Sequence, residues 1–127
     1  EGLIDINETK FSWLNYVDFK ISDSLLFVKN DNLVLDGNIL IDIHNSYEIY
    51  KFFQAPRNYR KKIKKIDLNF IYNFDQKTVS LNNIEIDNLV NPVVNKILSQ
   101  FIFKDTILQN RIYFKSLINE AIKSHAG

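Results

Sequence analysis

No cysteine occurs among the 127 residues, which excludes disulfide scaffolds, cysteine-based zinc sites, iron–sulfur clusters and cysteine nucleophiles. That absence does not choose a compartment, because periplasmic and cytosolic proteins both do without disulfides. Histidine occurs only at His44 and His125, far apart in sequence, so a metal site built mainly on histidine is not expected. The three glycines, at 2, 37 and 127, allow no glycine-rich phosphate loop of the P-loop or dinucleotide type. No run of about 18 apolar residues reads as a membrane-spanning helix, and no signal-peptide pattern is present. Methionine is absent and the chain starts at Glu1, so a piece of a larger or processed protein is expected, with any anchor upstream. Basic and acidic residues nearly cancel, 16 against 15, which argues against a generally basic nucleic-acid binder.

What is present favours a packed domain. Hydrophobic residues make up 46%, enough for a sizeable core and against wholesale disorder. No low-complexity stretch or Pro/Gly/Ser-rich linker divides the chain, so one domain is expected over 1–127. The abundance of Ile, Asn, Lys, Phe and Tyr, all with AT-rich codons, reads as genomic bias rather than chemistry.

The first two-thirds has the period of strands. Phe11, Trp13, Val17, Phe19 and Ile21 fall on odd positions, with Asn15 breaking the series, which reads as one strand. Ser24 to Lys29 reads as a short strand, Asn30-Asp31-Asn32 as a turn, and Leu33 to Ile43 as its partner in a hairpin. Gly37 lies on the apolar face of that partner, which suggests a bend or a close approach. Tyr47, Tyr50 and Phe53 recur at helical spacing after a cap at Asn45 or Ser46, and Pro56 ends the pattern. Ile66 to Phe74 alternates cleanly, Asp75-Gln76-Lys77 turns, and Val79 to Asp87 returns. The phase of the return slips at Asn82-Asn83, which a β-bulge explains. Asn91-Pro92 opens an expected helix over 92–103 whose stripe is Val93, Val94, Ile97, Leu98, Phe101 and Ile102. Thr106 caps a second over 106–123, with Leu117, Ile118, Ala121 and Ile122 on its stripe. The expected fold is therefore α+β: a curved antiparallel sheet of hairpins, a short helix after the central strand, and two C-terminal helices. Residues 1–23 are uncertain, 24–87 hold the hairpins and one helix, and 88–127 hold the helical pair.

Chemistry-bearing constellations are sparse. Asp36 with Asp42, and Asp67 with Asn69, share polar strand faces; they fit a solvated sheet face or acid–base work. His44 reads as a strand-end surface residue or as a ligand or base, and His125 sits in a terminal tail. Ser46 and Ser80 lie in no nucleophile-elbow context. The basic run of Arg57, Arg60, Lys61, Lys62, Lys64 and Lys65 contains no acid. It fits a solvated loop that discourages edge pairing, or a phosphate or headgroup site centred on Arg57, Arg60, Lys61 and Lys62. Phe70, Tyr72 and Phe74, with Phe11, Trp13 and Phe19, make a broad aromatic face. That face is either a core between sheet and helices or the inside of a curved sheet that meets lipid acyl chains.

Three segments carry a family resemblance: Leu35 through Ile43, Tyr50 through Pro56, and Arg60 through Ile66. The hairpin from Leu68 to Ile86 and the ending from Phe114 to Ala121, closing at Ala126-Gly127, add to it. Together they resemble the AsmA-like family, C-terminal region, of the alphaproteobacterial type, over roughly 24–127. The resemblance implies a large envelope protein of a Gram-negative bacterium, periplasmic and anchored to the inner membrane through an N-terminal helix. It implies a long open β-groove for phospholipid transport between inner and outer membranes, with a role in envelope integrity and outer membrane biogenesis. By position, Leu35, Ile39, Ile41, Phe70 and Tyr72 would line such a groove. The family offers no catalytic residue to carry over, so no enzyme, cofactor or metal is expected. The expected partners are phospholipid acyl chains and an envelope protein, not nucleic acid. The alternative is a non-enzymatic interaction or capping domain that binds no lipid.

Overall fold

A computed structural model describes residues 4–6, 9–13, 15–99, 103–104 and 111–126, with side chains described at 10, 12, 15–99 and 115–126. Among them, eight strands form one antiparallel sheet. The strands β1 (Ile4–Ile6) and β2 (Thr9–Trp13) both pair with β3 (Val17–Lys29). Next to it lie β4 (Asn32–Ile43), β5 (Lys65–Asn73) and β6 (Thr78–Ile86), in that order. At the far side, β7 (Leu89–Val90) and β8 (Phe103–Lys104) both lie along β6. The helices are α1 (Ser46–Phe52), α2 (Pro92–Ser99) and α3 (Arg111–Ala126), with a 3₁₀ turn at Arg57–Tyr59. This is the expected α+β class: an open antiparallel sheet, one short helix after the central hairpin, and two helices near the C-terminus.

The first hairpin differs from the sequence reading. Phe11 to Ile21 is not one strand: the chain turns at Asn15-Tyr16, and Trp13 pairs with Val17. Three residues separate that pair, so odd positions stay in phase on both sides of the turn. Alternation alone therefore cannot reveal the reversal, and Asn15 is the only local sign of it. Ser24–Lys29 is likewise not separate but the second half of β3.

Two bulges shape the sheet. Between Ser22 and Leu25, β3 gains one residue against β4, and Asp23 takes φ 52°. In β6 the register shifts opposite Asp67/Asn69, with Asn83 at φ 52°, where the phase slip predicts it. Asn and Asp tolerate this left-handed backbone better than other residues with a Cβ. Gly37 answers the first bulge. A Cβ there would lie 2.5 Å from Ser24 Oγ and 2.8 Å from the Phe70 ring. The glycine marks a close approach, because Ser24, only 1% exposed, and Phe70 occupy that space.

The second bulge is completed from outside the sheet. Asn95 on α2 accepts a hydrogen bond from Ile84 N (2.6 Å) and donates from Nδ2 to Ile84 O (2.8 Å). The side-chain amide thus satisfies both backbone groups of Ile84, a nearly fully buried residue. Asn91 caps the same helix, accepting from Val93 N and Val94 N as its place before Pro92 predicts.

The helical boundaries are shorter than the expectation over 92–103. The helix α2 ends at Ser99, and Phe103-Lys104 pairs with Val79-Thr78 as a strand, so 88–127 is not purely helical. Val94 and Leu98 face the core four residues apart, while Val93, one position round the helix, is exposed. The expected cap Thr106 and the stretch 106–110 lie outside the described residues. The end of α1 also comes early: the helix stops at Phe52, Gln54 turns at φ 57°, and Pro56 instead precedes the 3₁₀ turn.

One core cluster joins these parts. Ile43, Ile63, Leu68, Phe70, Ile84, Ile86, Val94, Leu98, Leu117 and Ala121 pack between the inner sheet face and the helices. Truncating a side chain as buried as Ile84 to alanine costs about 2–5 kcal/mol in comparable cores.

Candidate ligand cavity and its cationic neighbour

The helices do not seat flush on the sheet. An apolar cavity of about 380 Å³ remains between them. Its floor is laid by alternate residues of four strands: Phe19 on β3, Ile41 and Ile43 on β4, Leu68 on β5, Ile84 on β6. Its roof comes from α1 and the residue that follows it (Ile49, Tyr50, Phe53), α2 (Val94, Leu98) and α3 (Ile118, Ala121, Ile122, His125). The accessible wall is apolar throughout. An apolar cavity stays dry and accepts apolar guests. This one falls at the lower end of the range for small-molecule sites, about 300–1,000 Å³.

Two ties hold the roof. Tyr50 is buried and donates its hydroxyl to the Lys61 carbonyl. Burial first, then the charge of Asp87, pushes the Tyr50 phenol above its ordinary value, so it stays a donor. Asn119 Nδ2 donates to Phe53 O at 2.8 Å and ties α3 to the end of α1. His125 lies in the last turn of α3, not in a loose tail, and lines the cavity. Its Nε2 is buried without a hydrogen-bond partner. Burial, aided by the Lys61 charge and opposed by Asp87, lowers its pKa, so the ring is neutral at pH 7.

Of the expected groove residues, only Ile41 lines this cavity. Leu35, Ile39 and Tyr72 are partly buried against the core, and Phe70 is fully buried over Gly37. Tyr72 stacks on Phe74 at 4.7 Å, toward the other end of the sheet. The alternation that marked these residues places them on one face, but the helices cover only part of it. Tyr50, Ala121 and His125 are among the lining residues that the groove expectation missed. The signal for Ala121 and His125 was the i, i+4 series Leu117, Ala121, His125, which extends the stripe one step beyond Ile122.

The cationic candidates divide in the same way. Arg60 and Lys62 line a surface hollow of about 350 Å³ with His44, Asn45, Ser46, Tyr47 and Tyr50. Tyr50 lines both the hollow and the cavity. Arg60 is held in place: its Nε donates to Ala55 O at 2.9 Å, and its guanidinium lies 5.3 Å from the Tyr47 ring centre. Arg57 and Lys61 are exposed outside the hollow.

On the opposite sheet face, polar residues align across strands. Ser22, Asn38, Asn69 and Asn82 follow one another in register. Asn38 Nδ2 donates to Asp67 Oδ1 at 2.7 Å. Near its edge, Ser12, Asp18 and His44 meet, the three residue types of a hydrolytic triad. Their connectivity differs, since Ser12 Oγ (2.6 Å) and His44 Nε2 (2.7 Å) both bond Asp18 rather than each other. A nucleophile needs the base on its own hydroxyl. The Ser12 and His44 bonds hold the Asp18 carboxyl below its ordinary pKa. Among the described residues, no group of three or more His, Asp or Glu could hold a metal ion.

These features define a small α+β domain with an apolar chamber under its helices and a cationic hollow beside it. Set against protein-family models, curated proteins and solved structures, the chain matches none of them. No helix among the described residues is long and apolar enough to cross a membrane.

Proposed function

We propose that this chain is the C-terminal module of a periplasmic AsmA-like protein that carries phospholipid between the inner and outer membranes and supports envelope integrity. In this reading a helix upstream of Glu1 anchors the protein to the inner membrane. The observation that carries the reading is the apolar cavity of about 380 Å³ on the inner sheet face. An acyl chain there would be held without covalent chemistry, each buried methylene contributing about 0.8 kcal/mol. Ile41 and the residues of α3 would meet the chain, and the headgroup would stay in water near Arg60 and Lys62.

A second reading is a non-enzymatic capping or interaction domain that binds no lipid. It is favoured by the way α2 and α3 close over part of the inner face. One substitution separates the two. Ile41→Glu places a carboxylate on the cavity floor, where a charge is costly beside an acyl chain. On the first reading the variant keeps its circular dichroism spectrum and loses the phospholipid that co-purifies with the wild type. Normal lipid loading in a folded variant removes the cavity as the site. Global unfolding would place Ile41 in the core and favour the capping reading.

A further inference from the structure

Two parts of the chain that are remote in sequence, residues 46–65 and α3, come together beside α1. Residues 46–65 supply three aromatic rings and one cation, and α3 supplies two cations: Tyr47 with Arg60 (5.3 Å), Phe52 with Lys115 (5.4 Å) and Tyr59 with Lys123 (5.9 Å). The rings are not core residues: Tyr47 is 54% exposed, Phe52 51% and Tyr59 37%. The Asn119–Phe53 hydrogen bond fixes α3 against the end of α1, and because Tyr59 adjoins Arg60 in sequence and Lys115 shares α3 with Lys123, the three pairs are neighbours. Around them, Arg57, Lys61, Lys62 and Lys64 are exposed.

The charge of the chain is divided along the same line. Residues 46–65 and 115–126 hold nine of the sixteen basic residues and only two of the fifteen acidic ones, Glu48 and Glu120. These segments therefore carry +7 and the remainder of the chain −6, although the total is only +1. Such a molecule orients in the field of an anionic surface.

The geometry points to a docking face for an anionic lipid bilayer, with Tyr47, Phe52 and Tyr59 at headgroup level and the surrounding lysines and arginines against the phosphates. Exposed aromatic rings interleaved with Lys and Arg are the side chains that favour a membrane–water interface. A single-stranded nucleic acid would also attract cations and rings, but such sites track the strand along a groove. Here the three rings stand on two separate short elements, α1 and the 3₁₀ turn, and two of them are more than half exposed. The inference does not depend on what the apolar cavity holds, because no cavity residue belongs to the rings or to the exposed cations.

Vesicle co-sedimentation tests it. Lipid-stripped protein is mixed with vesicles of phosphatidylcholine alone and of phosphatidylcholine with one-quarter phosphatidylglycerol, at low and high salt. The expected result is binding to the anionic vesicles only, weakened by salt. In the triple variant Arg57→Glu/Lys61→Glu/Lys64→Glu, binding should fall at least about a hundredfold, since each basic residue near such a surface contributes roughly a fivefold factor. These side chains are exposed, and circular dichroism checks that the fold is kept. Phe52→Ser should weaken binding without changing its salt dependence. Equal binding to neutral vesicles, no binding at low salt, or an unchanged triple variant would overturn the proposal. So would tighter binding to a single-stranded oligonucleotide than to the anionic vesicles. Lipid content after organic extraction reads the cavity separately, so failure of docking and failure of acyl-chain loading are told apart.

Discussion

Ala121→Leu puts the cavity to a test in which the sign of the effect decides. Ala121 is buried on α3 and its side chain reaches the cavity wall. Leucine adds three carbons. If they enter open apolar space in the lipid-free protein, they gain about 2.4 kcal/mol at about 0.8 kcal/mol per methylene. Fixing the leucine rotamer returns about 0.5–1 kcal/mol of that. The net expectation is a stabilisation of about 1.5–2 kcal/mol. In a core that is already full, the same change is overpacking and costs about 1–3 kcal/mol. Urea unfolding of delipidated wild type and variant separates these outcomes, read as a change of midpoint at unchanged slope. The variant should also take up less lipid, because the leucine occupies the space an acyl chain would use. A lower midpoint would refute the reasoning, since it would mean that the sheet and helices leave no usable volume at α3.

Three further expectations concern the supports of the chamber. Asn95→Ala strips Ile84 of the Asn95 partners for both its N–H and its C=O, so a loss of about 2–6 kcal/mol is expected at about 1–3 kcal/mol per unsatisfied group. A urea midpoint within error of wild type would show that the Asn95 bonds carry no weight. Gly37→Ala should cost about 1–3 kcal/mol by overpacking, and Ser24→Ala in that background should recover part of it, because Ser24 Oγ is the nearest atom to the new Cβ. His125 has its folded pKa lowered by burial and by Lys61, so the unfolded chain binds the proton more readily. Stability should therefore be intact at pH 7 and decline as pH falls below about 6.5, the unperturbed histidine value. Thermal melts should show His125→Phe losing less stability than wild type between pH 7 and pH 5; equal slopes would contradict the buried, neutral ring.

Much of the sheet is written in alternation. The central strands, the turn at 75–77 and the second bulge follow from the side-chain period and its single slip at Asn82-Asn83. Gly37 on an apolar face signalled the close approach that Ser24 and Phe70 make. The reversal at Asn15-Tyr16 was hidden because an odd-length connection keeps the period intact. Asn95 was hidden for a different reason. In a chain rich in asparagine one amide resembles another, and only the tertiary contact between α2 and the bulge singles it out. The candidate site was legible only in part, because alternation marks a whole sheet face while the position of the helices decides which residues bound empty space. Ile41 was found by position; Tyr50 and His125 became visible only once α1 and α3 were placed over it. The pairing of Tyr47, Phe52 and Tyr59 with cations from elsewhere in the chain depends on the same packing, and no local pattern announces it.

The central claim is that the chamber under α1, α2 and α3 takes a single acyl chain. The most direct measurement is the lipid content of the protein purified under native conditions, extracted with organic solvent and analysed by mass spectrometry against protein concentration. Acyl-chain lipid in near-equal proportion to protein, and displaced in Ala121→Leu, is the predicted result. A monomeric, lipid-free protein whose Ala121→Leu variant behaves no differently would contradict the claim and leave a closed capping domain in its place.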